Sequence, residues 1–327
     1  MNKRRRHYAL AALAGLALAH TAWAQDTASY PNKPVTLVVP TTPGGGTDIA
    51  ARLFADELGK AMKQSFVVDN RAGASAIIGT DFVAKSPPDG YRLLFGFSAP
   101  IVMNPALFKK LPYDPMKDLV PVAQIGQGGL VLLARKDLPA NTLKEFIAYA
   151  KAHSGQLNYC SWGAGSGGQL TMESLKKQAG ITMTHVPYKG ASPCAQDVTG
   201  GQIDAAFIDA LAAQKALLTG RVKALAYSGG ERIPYMPDVP TLTELGYPFK
   251  NYSWFGVFAP AKTPPAIVKR LNDEINRAQK DPAVVKRLEA LGFTDLPKKT
   301  PEQFNATIQQ DLRDWTALIK SVGVTLD

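Results

Sequence analysis

The order strand, short glycine-bearing loop, helix recurs along the chain, and it constrains the fold more than any other feature. Val35 to Pro40 is an apolar run rich in β-branched residues. Gly44, Gly45 and Gly46 follow, and Ile49, Leu53, Phe54, Leu58 and Met62 then mark one helical face. Phe66 to Asp69 is the next predicted strand, with a loop through Arg71 and Gly73, and Tyr91 to Phe97 is a third. Leu157 to Ser161, Met183 to Tyr188, Ile203 to Asp209 and Val222 to Ser228 read as further strands, most of them separated by helical patterns. Such alternation implies parallel sheets with helices on both faces.

Two segments read as crossings between lobes: Val120 to Arg135, which runs past Gly126, Gly128 and Gly129, and Tyr252 to Pro260. A chain that leaves one lobe, builds a second and returns makes two hinge strands. The expected division is residues 25–125 plus 256–327 for the first lobe and 126–255 for the second. The C-terminal stretch is helical. Thr263-Pro264, Asp281-Pro282 and Thr300-Pro301 each read as a cap followed by a first-turn proline, and Gln303 completes a capping box. Phe304, Ile308, Leu312, Trp315, Ile319 and Val322 then form a buried stripe at the helix period.

The first residues indicate the compartment. Lys3, Arg4, Arg5 and Arg6 precede an apolar stretch from Tyr8 to Ala19, and Ala22-Trp23-Ala24 is an A-x-A cleavage site. The apolar run is too short to span a bilayer, so residues 1–24 are expected to be a secretory signal cut after Ala24, giving a periplasmic protein. The Arg5-Arg6 pair leaves general secretion and twin-arginine export both open. The net charge of +10 includes the four basic residues of that segment, so the mature chain carries a mild basic excess. That suits an anionic small ligand or solubility. No basic stripe is interleaved with stacking aromatics, which argues against nucleic acid.

Gly44-Gly45-Gly46-Thr47-Asp48 lies between a strand and a helix. Glycine lets backbone approach a ligand, and the N–H groups of a helix start, with the positive end of its dipole, favour an anion. Thr47 or Asp48 can also simply cap the helix. No Gly-Lys-Ser/Thr follows, so the loop is not a Walker A motif. Gly163-Ala164-Gly165-Ser166-Gly167-Gly168 repeats the design before Gln169. Its glycines match G-x-G-x-x-G, but the next strand ends His185-Val186-Pro187-Tyr188-Lys189-Gly190 without the acid that would hold a ribose. Ser166 and Gln169 have capping-box spacing. Asp209 ends a strand on the same sheet edge as the glycine loops and faces either the cleft or the start of the next helix.

Little here supports catalysis. After the signal, only His153 and His185 remain, and no G-x-S-x-G elbow exists: Ser166 follows Gly165 and Ala164, and Ser161 follows Cys160 and Tyr159. No enzyme activity, cofactor or metal site is expected.

At these residues the chain resembles the Bug (Bordetella uptake gene) family, the periplasmic receptors of tripartite tricarboxylate transporters. The resemblance rests on Pro43 to Asp48, Asp69-Asn70-Arg71, Pro88-Asp89-Gly90-Tyr91, Asn104-Pro105 and Leu111-Pro112-Tyr113-Asp114. It continues through Leu157-Asn158-Tyr159, Val186 to Gly190, Gly200 to Asp204, Pro237 to Thr241 and Ser253-Trp254-Phe255-Gly256. It implies a type II periplasmic-binding (Venus flytrap) fold of two α/β lobes joined by two crossing strands. The implied ligand is a small carboxylate, such as a dicarboxylate, an amino acid or an aromatic acid. It would contact Thr41, Thr42, Gly45, Gly46, Thr47 and Asp48 in the first lobe, and Ser161, Ala164, Gly165, Ser166 and Gln169 in the second. Ser98 and Asp209 would wall the pocket.

Three departures bear on the ligand: Gln169 where histidine is frequent, Trp162 where a small residue is usual, and Cys194 after Ser192-Pro193. Trp162 either stacks on an aromatic carboxylate, or shrinks the pocket or packs outward. Cys160 ends one predicted strand and Cys194 begins the helix after the neighbouring one, so a Cys160–Cys194 disulfide is expected, with free buried thiols as the alternative. The resemblance further implies the membrane subunits of the tripartite system as partners, and a monomer is expected because no strong exposed apolar stripe argues for a dimer. A solute sensor is a rival function, and an exported hydrolase a weaker one.

Overall fold

The computed structural model describes residues 29–326, so the signal segment and its cleavage site lie outside the described residues. Among the described residues ten strands form two five-stranded sheets. The first contains β1 (Val35–Val39), β2 (Phe66–Asn70), β3 (Arg92–Phe97), β4 (Leu119–Gly128) and β10 (Ser253–Pro260), in the order β2-β1-β3-β10-β4. The second contains β5 (Leu130–Arg135), β6 (Asn158–Ser161), β7 (Thr184–Pro187), β8 (Ala205–Asp209) and β9 (Val222–Tyr227), in the order β7-β6-β8-β5-β9. The fold is a two-lobed α/β architecture. β1 is an inner strand and, apart from half-buried Thr36, fully buried, which is why it reads as a nearly continuous apolar run.

The sheets are mixed, where alternation alone predicts parallel ones. β1 runs parallel to β2 and β3, and β6 to β7 and β8. β10 is antiparallel to β3 and β4, and β5 to β8 and β9. The reason is connectivity: β5 and β10 enter their sheets from the other lobe and so run against the strands they join. The chain passes from the first sheet to the second at Gly129 and returns between Tyr227 and Ser253. A Cβ at Gly129 would lie 2.1 Å from the Gly229 nitrogen, so only glycine allows the two passing backbones to touch. The Tyr227 hydroxyl accepts a 2.6 Å hydrogen bond from the Gly129 N–H beside this contact.

Helix Pro301–Val322 carries the expected capping box at Thr300 and Gln303 and buries Phe304, Ile308, Trp315 and Ile319. It packs on β4 in the first lobe and on helix Gly167–Ala179 in the second. Asp281 caps helix Pro282–Ala290, as its spacing predicts. Thr263 does not cap its helix: Pro264 is extended, the helix begins at Pro265, and the Thr263 hydroxyl donates to the Pro260 carbonyl instead. No helix among the described residues is long and apolar enough to cross a membrane.

Candidate functional site

In each sheet the connections reverse direction beside one strand. β1 is flanked by β2 and β3, and β6 by β7 and β8, so the chain goes one way after the first strand and the other way afterwards. Crevices open outside the carboxyl ends of strands at such switch points. Thr41 follows β1, Ser98 follows β3, Trp162 follows β6, and Asp209 ends β8.

These four groups line one cavity of about 330 Å³ between the lobes. Gly46, Thr47 and Ser166 line it as well, so both glycine loops reach it. Phe97, Met103, Leu130, Trp254, Phe255 and Leu291 supply its apolar walls. Thr42, Gly45 and Ala164 stand exposed outside the lining, and buried Asp48, Ser161 and Gly165 and half-buried Gln169 are not part of it either.

The first loop is built as a donor site. Helix Gly46–Met62 has Gly45 as its N-cap in extended conformation, and no side chain caps it. Its first N–H groups therefore keep their donors for something else. Neither Thr47 nor Asp48 serves as the cap that the sequence allows. Asp48 is 3% exposed and turned inward, where Gly44 N–H and Arg52 Nε donate to Oδ2 at 2.9 and 3.0 Å, and Asn70 Nδ2 donates to Oδ1 at 2.9 Å. Burial pushes this carboxyl up, but the bonds from Arg52, Gly44 and Asn70 more than offset it and hold the group below the usual carboxylate range. Asn70 also donates to the Thr41 carbonyl, tying β2 to the loop. Asp48 thus braces the loop. The Thr41 hydroxyl, on the cavity wall, is buried without a partner among the described residues.

The second loop is spent differently. Ser166 accepts from the Gln169 N–H at 3.4 Å, and Gln169 Oε1 accepts from the Gly165 N–H at 2.7 Å, so helix Gly167–Ala179 is capped and the loop amide is taken. A Cβ at Gly168 would lie 2.7 Å from the Trp162 ring, so the glycine is what lets the indole lie against the helix start. Trp162 therefore both packs on the helix and faces the cavity.

Ser161 is fully buried, its hydroxyl donating to the Gly163 carbonyl at 2.9 Å and meeting His185 Nε2 at 2.7 Å. With its single proton on Gly163, the serine accepts from the histidine Nε2–H. Burial pushes His185 down, towards the neutral ring. A serine so enclosed is not presented to a substrate. Cys160 and Cys194 are joined by a disulfide that ties the end of β6 to helix Ala191–Thr199.

Asp209 caps helix Ala210–Leu217 through the Ala212 N–H, at 2.9 Å, while lining the cavity. It therefore fills both positions that its place in the sequence allows. Burial pushes its carboxyl up, and the amides of the helix start pull the other way. The residues that sequence reasoning leaves out are the apolar walls. Ser253-Trp254-Phe255-Gly256 is visible as a motif, but nothing in it separates a wall facing a ligand from ordinary core.

Comparison with known proteins adds four findings. The model of the tripartite tricarboxylate transporter family receptor matches residues 50–324. The chain is 37% identical to Protein BugT of Bordetella pertussis, over 91% of this chain and 92% of that protein. Among solved structures it is similar to Rpa4515 of R. palustris with adipate, at 33% identity and TM-score 0.84 over 90% of this chain and 99% of that one. It is also similar to MatC of Rhodopseudomonas palustris with bound malate, at 36% identity and TM-score 0.79 over 89% and 100% of the two chains.

Proposed function

The chain belongs to the tripartite tricarboxylate transporter receptor family, and from that premise we propose that its cleft captures a small organic carboxylate in the periplasm for delivery to a membrane transporter. The observation that carries this reading is the uncapped start of helix Gly46–Met62 on the cavity wall, next to a buried Thr41 hydroxyl that has no partner among the described residues. A helix start offers N–H donors and about half a positive charge, which together suit one carboxylate. The adipate and malate of the two R. palustris structures are both small carboxylates and support the same class.

Binding then needs no chemistry on the ligand. The carboxylate docks on the first-lobe helix start, the second lobe closes over it about the two crossing strands, and the closed form gains contacts that the open form lacks. Trp162, Ser166 and Asp209 are the second-lobe groups that meet the ligand. Export with cleavage after Ala24 and action as a single chain belong to this reading.

The N–H donors can be tested separately from the shape of the pocket. Gly46 is the first helical residue and Gly45 is extended (φ −79°, ψ 168°), which is the setting in which proline fits. Gly46→Pro removes one donor with little strain, and Gly46→Ala adds bulk but keeps the donor. By titration calorimetry against a carboxylate panel, the proline variant is expected to bind about tenfold or more weakly than the alanine variant. Equal affinity would remove the helix start from the site. Mass spectrometry of ligand carried through native purification identifies the panel member to use.

A further inference from the structure

Part of the second-lobe wall of the cavity comes from two neighbouring strand ends. Trp162 follows β6, and Gly190 and Ala191 come after β7, the edge strand beside it. Gly190 is the N-cap of helix Ala191–Thr199 and no side chain caps it, so this helix start, like that of Gly46–Met62, reaches the cavity uncapped. Its free donors are the Ala191 and Ser192 amides, since Pro193 has none. Both lobes thus bring helix amides to the cavity, and binding between them depends on how firmly each helix start is placed.

The two starts are anchored very differently. Helix Gly46–Met62 buries nine of its 17 residues. Helix Ala191–Thr199 buries only Cys194 and Val198, and packs through that narrow face on β8 and helix Ala210–Leu217. No residue of β7, which leads into it, is buried, and β7 pairs along one side only, with β6. The bond from the Tyr188 hydroxyl to Asp197 lies within this same segment and does not tie it to the lobe. The covalent tie is Cys160–Cys194, whose ends lie two residues before Trp162 and three after Ala191. Both cysteines are fully buried, so the bond is a fixed strut and not a switch open to reagents. We propose that the Cys160–Cys194 disulfide is a positioning element of the ligand site: it fixes the Ala191 helix start against the strand that leads to Trp162, and so holds this part of the wall in the shape that receives the ligand. This rests on the reading of the cleft as a carboxylate site. Without the bond the wall samples other positions, and the apparent affinity falls with the fraction of time spent in the binding one.

Two measurements compare the wild type with the double variant Cys160→Ala/Cys194→Ala and with Leu143→Ala. Leu143 is buried at the start of helix Leu143–Ala152 in the same lobe and lies outside the cavity lining, so its loss costs stability of the same order without touching the wall. Amide hydrogen exchange without ligand, read by mass spectrometry, is expected to quicken about tenfold or more over residues 195–200 of the double variant, and to stay within about threefold of wild type there in Leu143→Ala. Calorimetry with adipate, malate and benzoate as probes is expected to give a Kd about tenfold or more higher in the double variant for each acid that binds, with Leu143→Ala within about threefold of wild type. The stoichiometry of the same titrations reports the folded fraction, so a loss of fold is read separately from a loss of affinity. Wild type refolded in reductant should match the double variant, and reoxidation should restore both readouts. Unchanged exchange or unchanged affinity in the double variant, or an equal loss in Leu143→Ala, would overturn the inference and leave the carboxylate reading standing. If the wild type bound none of the three acids, a wider carboxylate screen would supply the probe, and a screen without a hit would remove the receptor reading and this inference with it.

Discussion

Replacing both Cys160 and Cys194 with alanine is expected to lower the unfolding free energy of the second lobe by about 4 kcal/mol. The two cysteines are 34 residues apart, and a cross-link over a loop of that length removes a large share of the unfolded chain's freedom. Both side chains are fully buried, in an apolar cluster that includes Val131, Val198 and Ile208. Alanine is therefore the right replacement, since serine would add the cost of a buried hydroxyl. The bond joins the strand that leads into Trp162 to the helix whose first residue, Ala191, lines the cavity. Urea unfolding followed by circular dichroism measures the change. The wild type in reductant should approach the double variant, and a loss below about 1 kcal/mol would show that the bond does not hold the lobe together.

The second large effect concerns a charge. Trp254 is fully buried in β10 and lines the cavity, and its Nε1–H donates to Asp311 Oδ2 at 2.7 Å. Burial pushes the Asp311 carboxyl up to about 6, although the indole bond and Lys299 pull it down. In the unfolded chain the group titrates near the ordinary value of about 3.9. Between about pH 4 and 6 the folded state keeps a proton that the unfolded state has lost, so stability falls as pH rises through this window. Above it the fold carries the full cost of a buried charge. Asp311→Asn keeps the acceptor for the indole without the charge, and it also deprives Lys299 of a favourable neighbour. The net expectation is a gain of about 2 kcal/mol at pH 7.5 and almost none near pH 4. Urea titrations at the two pH values check this, and a gain of the same size at both would refute the account.

The strands and their glycine loops are legible in the sequence because each is a local signal. The run Val35 to Val39, three glycines and an apolar helical face follow one another within one unit. Once two such units are placed in equivalent sheets, the carboxyl-edge positions of Thr41, Ser98, Trp162 and Asp209 follow from topology. What is not legible depends on neighbours distant in the chain. Asp48 looks like a ligand or cap residue, but it faces inward because Asn70 and Arg52 meet it there. Ser161 meets His185 only because β6 and β7 pair in a register that sets Tyr159 opposite His185. Phe97, Trp254 and Phe255 read as core because burial against a ligand and burial against another side chain require the same residue types. Gly168 reads as part of an anion loop, whereas the ring of Trp162 already accounts for it.

The strand order of the first sheet also sets a timetable for folding. β10 lies between β3 and β4, so β4 has no partner in its sheet until Ser253–Pro260 arrives. The strands of the second sheet, by contrast, all fall within one uninterrupted stretch, from Leu130 to Tyr227. In a chain delivered N-terminus first, the second lobe can be complete while the first still waits for its central antiparallel strand. Closing the first sheet means bringing together segments separated by the whole of the other lobe, which is the kind of long-range pairing that slows folding. Until then β3 and β4 offer unpaired edges, so the first lobe is the half of the molecule most exposed to misassembly during its synthesis.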